Sequence, residues 1–353
     1  MYGQAWCTWS FRRSNGPYAG WVSEEVSAER VERDLLMVGA GPVGLYAAYY
    51  AGFRGLSSAL VDSLPEPGGQ ITAMYPEKAI YDVAGFPSVK GRDLVDALVE
   101  QAAPFTPTYL LDQEAQQLSR PSDGRLEVRT AAGTVISCRA VIVTGGIGTF
   151  TPRPLPAGAD WVGRGLHFFV PRLTAHAGQD VVIVGGGDSA CDWVLSLEGI
   201  AKSITLVHRR AKFRAHPHTV ELVRKSTAEI ITDAQVSKIL GGDMVEAVEI
   251  SLADGTAVTR PAQAVIAALG FVANLGPLTT WGVEVVGHRY IPVATTMATN
   301  VSGIFAAGDI TDYPGKVRLL SVGFGEAAIA VNNAAVLIDP EASLFPGHSS
   351  NLP

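Results

Sequence analysis

Two glycine turns in this chain have the residue types and spacing to hold a pyrophosphate. Gly39-Ala40-Gly41-Pro42-Val43-Gly44 follows the apolar run Leu35-Leu36-Met37-Val38 and opens a stretch of helical pattern. Asp62 ends the next strand-like run, SSALVD. Gly185-Gly186-Gly187-Asp188-Ser189-Ala190 has the same layout, and His208 stands as far beyond Gly185 as Asp62 stands beyond Gly39. In such a turn the first glycine permits a sharp bend. The second lets phosphate approach the backbone, and the third lets the helix pack close to its strand. The helix N-terminus faces the anion. Asp62 can accept hydrogen bonds from a ribose. His208-Arg209-Arg210, with Arg214 behind, replaces that acid with guanidinium forks suited to a 2′-phosphate. A basic stretch such as HRRAKFR can also be a plain solvated face. Its place at the matching distance from a glycine turn argues for nucleotide binding.

These turns must be carried by strand-helix-strand units, and residues 34–62 and 180–208 both read that way. The repetition extends further. Residues 126–146 and 248–270 are matching strand meanders that end in glycine, so the chain reads as two related nucleotide domains. The expected fold is α/β: two Rossmann-like, three-layer dinucleotide-binding domains, the second inserted into the first. Residues 34–152 and 271–338 form the outer domain and 153–270 the inner one, with proline- and glycine-rich links at 152–156 and 270–277. Residues 91–104 read as an amphipathic helix. The run Ile304-Phe305-Ala306-Ala307 reads as a strand ending in Gly308-Asp309, and a long helix follows. Residues 1–33, which include Trp6, Trp9 and Trp21, are expected to be a poorly ordered extension, and 339–353 an irregular tail.

Composition narrows the function. With 353 residues, 47% hydrophobic and 17% charged, the chain is long enough for two cores. A net charge of −7 argues against nucleic acid as the main partner. No apolar run is expected to span a membrane. Cys7, Cys138 and Cys191 offer no disulfide framework, which suits a reducing, cytoplasmic setting. His216 and His218 form H-x-H without a carboxylate or cysteine cluster, so no metal is expected. Cys191 lies near a helix start but reads as a small buried residue.

The loop after Gly68-Gly69-Gln70 is rich in aromatics. Tyr75 and Tyr81 suit either a core or a ring stacked on a flavin. The T-x-x-x-G-I-F-A-x-G-D pattern from Thr299 to Asp309, with the first glycine turn, resembles the low-molecular-weight thioredoxin reductase group. There the aspartate meets the FAD ribitol, and GGGDSA before VHRR is similar to the NADPH domain. No cysteine stands between Arg139 and Ala190, and a dithiol shuttle needs two thiols. From residue 34 to 350 the chain instead resembles the thioredoxin-reductase-like ferredoxin–NADP+ reductases. YPEKAIYDVAGFP, GGGDSACDW, HRRAKFRAH, AAGDITDYPGKVRLLSVGFGEAAIAVNN and PGHSS carry that resemblance.

The resemblance implies a homodimeric flavoprotein that passes electrons from NADPH through FAD to ferredoxin or flavodoxin. It places Gly39, Gly41, Pro42, Gly44, Asp62, Gly69, Gln70, Tyr75, Val83, Asp309 and Ser350 at FAD. Gly185, Gly187, Asp188, Ser189, His208, Arg209, Arg210 and Arg214 fall at NADP(H). Tyr75 would stack on one flavin face. His348, which in that family comes from the partner subunit, would cover the other, with Ser350 nearby. No acid or base is assigned. Lys316 and Arg318, then Lys78 and Lys90, are candidates for docking an acidic carrier. A generic NADPH diaphorase or oxidase, a disulfide reductase using an external dithiol, and a nucleotide-sensing dimer are the alternatives.

Overall fold

The computed structural model describes residues 30–347. Five parallel strands form the outer sheet, in the order Ile304–Ala306, Ala140–Val143, Leu35–Val38, Ser58–Val61, Thr108–Leu110. The inner sheet repeats the plan with Leu166–His167, Ala264–Ala268, Asp180–Gly185, Ser203–His208, Glu229–Thr232. In each sheet the strand that runs into a glycine turn is central. Both its faces are covered, which is why Leu35, Leu36 and Met37 are apolar in succession and fully buried.

Alternation along these strands builds the three layers. Leu35, Met37, Leu60 and Ile142 pack on helices α1 (Pro42–Phe53) and α2 (Gly91–Ala102). Leu36, Val38, Val61 and Val143 face the other way, onto the meander Ala115–Ser119, Leu126–Thr130, Val135–Cys138. In the inner domain Val181, Ile183, Leu206 and Ile266 pack on helices α3 (Asp188–Leu197) and α4 (Pro217–Lys225). Val182, Val184, Val207 and Val265 face the meander Ala234–Gly241, Val245–Leu252, Ala257–Pro261. The duplication expected from sequence is therefore real, meanders included. The chain crosses between domains twice, side by side, in the antiparallel pair Thr149–Pro152 and Phe271–Asn274.

Helix α5 (Leu320–Ile338) closes the outer domain by packing Ala327, Ala330, Val331 and Ala334 into the core beside α1. Among the described residues it is the one helix that reaches a membrane span's length and mean hydropathy, and it is interrupted by Glu326, Asn332 and Asn333. One face of it serves the core, while Ile329 and Leu337 are exposed, and it carries a buried carboxylate, Glu326.

The sequence boundary at residue 33 needs correction. Arg30–Glu32 is a strand that pairs in parallel with Val135–Ser137, and the Arg30 guanidinium meets Glu127 at 2.6 Å. The free edge of the meander recruits these residues despite their polarity. The other expectations for residues 1–29, and those for His348 and Ser350, lie outside the described residues. Beyond α5, Arg54 at the C-terminal end of α1 donates to the Ser343 carbonyl at 2.8 Å, which holds the tail at the end of α1 opposite its glycine turn.

Candidate active site

The outer glycine turn is shaped by contact on one side and open space on the other. Gly39 has φ +117, and a Cβ there would meet the Thr144 carbonyl oxygen at 2.6 Å. The Thr144 hydroxyl donates to the Gly39 carbonyl at 2.7 Å. A Cβ on Gly44 would lie 2.0 Å from the Gly39 oxygen, so Gly44 serves packing and does not line the cavity in front of the turn. Gly41 differs: a Cβ there would meet no atom within 4 Å. The backbone at the start of α1 is thus exposed where an anion would sit.

Asp62 spans this turn. One carboxylate oxygen accepts the Ala40 N–H at 2.7 Å and the other the Leu64 N–H at 2.9 Å. Each oxygen keeps a lone pair for a ribose hydroxyl. Burial holds the Asp62 carboxyl above the usual range, partly offset by those two N–H groups.

The cavity in front of the turn has a volume of about 630 Å³. It brings together Gly39, Gly41, Pro42, Asp62, Gly69, Gln70, Tyr75 and Asp309. Gly69, at φ +56, packs so closely that a Cβ on it would lie 3.1 Å from the Gly41 Cα. It starts the helical turn Gln70–Met74, which Tyr75 caps. Tyr75 touches the cores of both domains, and burial pushes its phenol up to about 12, so it stays protonated. Tyr81 is 73% exposed at the cavity rim. Val83 packs its apolar side chain into the outer core. Burial raises the Asp309 carboxyl, while Lys316 and Arg318 pull it down.

The inner turn shows the same division. A Cβ on Gly185 would strike the Ala268 carbonyl oxygen at 2.5 Å, whereas one on Gly187 would meet nothing within 4 Å. Ser189 is exposed at the start of α3. His208 sits beneath the turn: a Cβ on Gly186 would come within 2.2 Å of its ring. The imidazole stacks on Phe213 with centroids 5.0 Å apart. Burial, followed by the neighbouring arginines, holds its pKa below the ordinary value. The ring packs under the loop, and Arg209, Arg210 and Arg214 carry its exposed cations. All three are exposed, and among the described residues no carboxylate pairs with them.

Two bonds pin this arginine loop. The Arg214 N–H donates to the Gly186 carbonyl at 2.7 Å, and the Asp188 carboxylate accepts the His216 N–H at 2.8 Å. His216 is the N-cap of α4 and accepts the His218 N–H at 3.3 Å, so H-x-H is a helix cap. Among the described residues no group of three metal-ligating side chains exists. Cys138 and Cys191 are buried, and burial raises their thiols to about 12 and about 11. Neither is an activated nucleophile.

The basic docking candidates separate on inspection. Lys316 is inaccessible, its side chain 2% exposed and paired with Glu326 at 2.5 Å. That removes it from any surface patch. Lys78 reaches across the domains to Asp192 at 2.5 Å. Lys90 is exposed. Arg318 is exposed on the cavity rim and stacks on Tyr290 at 4.0 Å. Sequence reasoning missed Thr144 and Glu326. A lone carboxylate in an otherwise apolar helix was the available signal for Glu326.

Comparison with known proteins agrees with this architecture. Residues 33–334 match the family described as pyridine nucleotide-disulphide oxidoreductase. A protein of Nocardioides sp. named ferredoxin–NADP reductase is 62% identical over 323 residues, covering 91% of this chain and 97% of its own. One of the same name from Frankia alni is 61% identical over 317 residues, covering 90% and 98%. Among solved structures, thioredoxin reductase of T. acidophilum superposes with a TM-score of 0.73 at 24% identity, covering 86% of this chain and 98% of that one, a likeness of fold. The chain belongs to the pyridine nucleotide-disulphide oxidoreductase family and, within it, to the ferredoxin–NADP reductases built on the thioredoxin-reductase fold.

Proposed function

We propose that this protein passes electrons from NADPH, through FAD held in the outer domain, to a ferredoxin or flavodoxin. The observation that carries the reading is the contrast between two matched strand tips. Asp62 is a lone acid tied to its own turn, whereas the inner tip presents three exposed arginines without carboxylate partners among the described residues. An acid selects a ribose hydroxyl and repels phosphate; an arginine cluster does the reverse.

FAD fits the outer site. Gly41 is bare where a pyrophosphate would lie, Asp62 has spare acceptor capacity, and the cavity ends in aromatic and amide groups from Tyr75 and Gln70. When bound, a flavin supplies an acceptor that takes two electrons as hydride and releases them singly. The chain's own residues then have three tasks. The two turns would bind the dinucleotides, Tyr75 offers a flat protonated ring, and the walls would orient the nicotinamide for transfer. No side chain needs to move a proton for hydride transfer. Electrons leave at the rim, where Tyr81, Leu319 and Arg318 are exposed and can meet an acidic carrier.

In this reading the protein acts as a cytoplasmic homodimer. A disulfide reductase is disfavoured, since the two described cysteines are buried with raised thiols. The test is NADPH-dependent cytochrome c reduction by the purified yellow protein, with and without ferredoxin. Ferredoxin should raise the rate several-fold. A rate indifferent to ferredoxin would leave a diaphorase.

A further inference from the structure

Behind the Gly308-Asp309 turn lies a charged pair that hydride transfer does not use. Lys316 and Glu326 meet at 2.5 Å, with side chains 2% and 3% exposed. Together they hold both sides of one glycine. One Glu326 oxygen accepts the Gly308 N–H at 2.7 Å, and Lys316 donates to the Gly308 carbonyl at 3.0 Å. Thr311 donates its hydroxyl proton to that carbonyl at 2.8 Å, and the same hydroxyl lies 3.3 Å from that Glu326 oxygen. The Tyr313 hydroxyl donates to the other Glu326 oxygen at 2.5 Å. Every charge is met by a partner, as a buried pair requires.

The front of the turn is tightly packed. Gly308 has φ +87, and a Cβ there would approach Val43 at 3.2 Å. A Cβ on Gly323, in the first turn of α5, would meet Val43 at 2.6 Å and the Gly308 Cα at 3.4 Å. The start of α1, the Gly308 turn and the start of α5 therefore meet at one point. Asp309, the next residue, lines the cavity.

We propose that Lys316 and Glu326 are positioning residues for the flavin site. They fix the peptide groups flanking Gly308, and hence where Asp309 points. Because they cancel each other, they do so without leaving a net charge beside the cavity. A single buried ion at that place would bias the redox equilibrium of a nearby flavin, which gains negative charge on reduction. The pair offers rigid charge-assisted hydrogen bonds and avoids that bias. This inference rests on the reading of the outer cavity as an FAD site.

The experiment compares Lys316→Met, Glu326→Gln and the double variant Lys316→Met/Glu326→Met with the wild-type chain. FAD affinity of the apoprotein is followed by flavin fluorescence, and the midpoint potential of each reconstituted protein is titrated. Thermal melting of each apoprotein reports that the variant has folded. Each single variant should bind FAD at least about tenfold more weakly, since removing one partner of a buried pair leaves an uncompensated charge. The potential should fall for Lys316→Met and rise for Glu326→Gln. The double variant should regain most of the affinity and a near-wild-type potential. Tyr313→Phe, which keeps both charges, should leave the potential unchanged. Single variants with unaltered affinity, or potentials that move the same way, would overturn the proposal. So would a Tyr313→Phe protein that behaves like the single charge variants. If the wild-type apoprotein does not take up FAD at all, the reading of the cavity fails instead.

Discussion

Gly41→Val should give a protein that folds normally and binds FAD at least about a hundredfold more weakly. Gly41 has φ −69 and ψ 179, extended backbone that valine adopts readily, and a Cβ there meets nothing within 4 Å. The added methyls occupy the place where a pyrophosphate would approach the N–H groups at the start of α1. Charge-assisted hydrogen bonds are worth roughly 1.5–3 kcal/mol each, so losing two accounts for the expected factor. Gly44→Val is the contrasting case. Its Cβ would sit 2.0 Å from the Gly39 carbonyl oxygen, so α1 must move off its strand and the outer domain loses stability. Thermal melting of the apoproteins, paired with flavin titration, separates the two. A Gly41→Val protein with wild-type flavin affinity would show that the open turn is not where the phosphates bind.

The second large effect is expected at the inner strand tip. Arg209→Ala with Arg210→Ala should raise the KM for NADPH about a hundredfold while leaving that for NADH nearly unchanged. Both guanidinium groups are exposed without a carboxylate partner among the described residues, so their removal breaks no described ion pair. The loop that carries them stays pinned by the Arg214 N–H on Gly186 and by Asp188 on His216, which are untouched. The loss is then the phosphate's alone, and two forked contacts to a dianion are worth roughly this much. Steady-state kinetics with both nucleotides decides the matter. Equal increases for the two would mean that the arginines support the loop or bind another part of the nucleotide.

The two glycine turns were legible because their chemistry is local. A turn, an open backbone and the tip of the following strand are all properties of a short segment. The repeated meander gave away the duplication. Lys316 shows what stays hidden. A lysine after a glycine in a polar stretch reads as surface, and only the packing of α5 brings Glu326 beneath it. His208 is similar: its substitution for an acid was visible, but its burial under Gly186 follows from the returning loop. The strand Arg30–Glu32 has no apolar signature. It forms because an edge of the meander offers unpaired backbone groups.

The paired crossing strands have a historical consequence. Pro152 and Phe271 face each other in the ladder, so the inner domain begins and ends at neighbouring points. A segment with adjoining ends is a cassette: it can be gained, lost or exchanged in one recombination event without rethreading the sheet that receives it. The host sheet keeps all five strands, because Ile304–Ala306 returns to lie beside Ala140–Val143 whatever stands between. A chain in which a short glycine linker joins residue 152 to residue 271 should still take up flavin and should no longer oxidise NADPH. Flavin titration and a nucleotide assay on that shortened chain would show whether one ancestral unit once served alone before it received its copy.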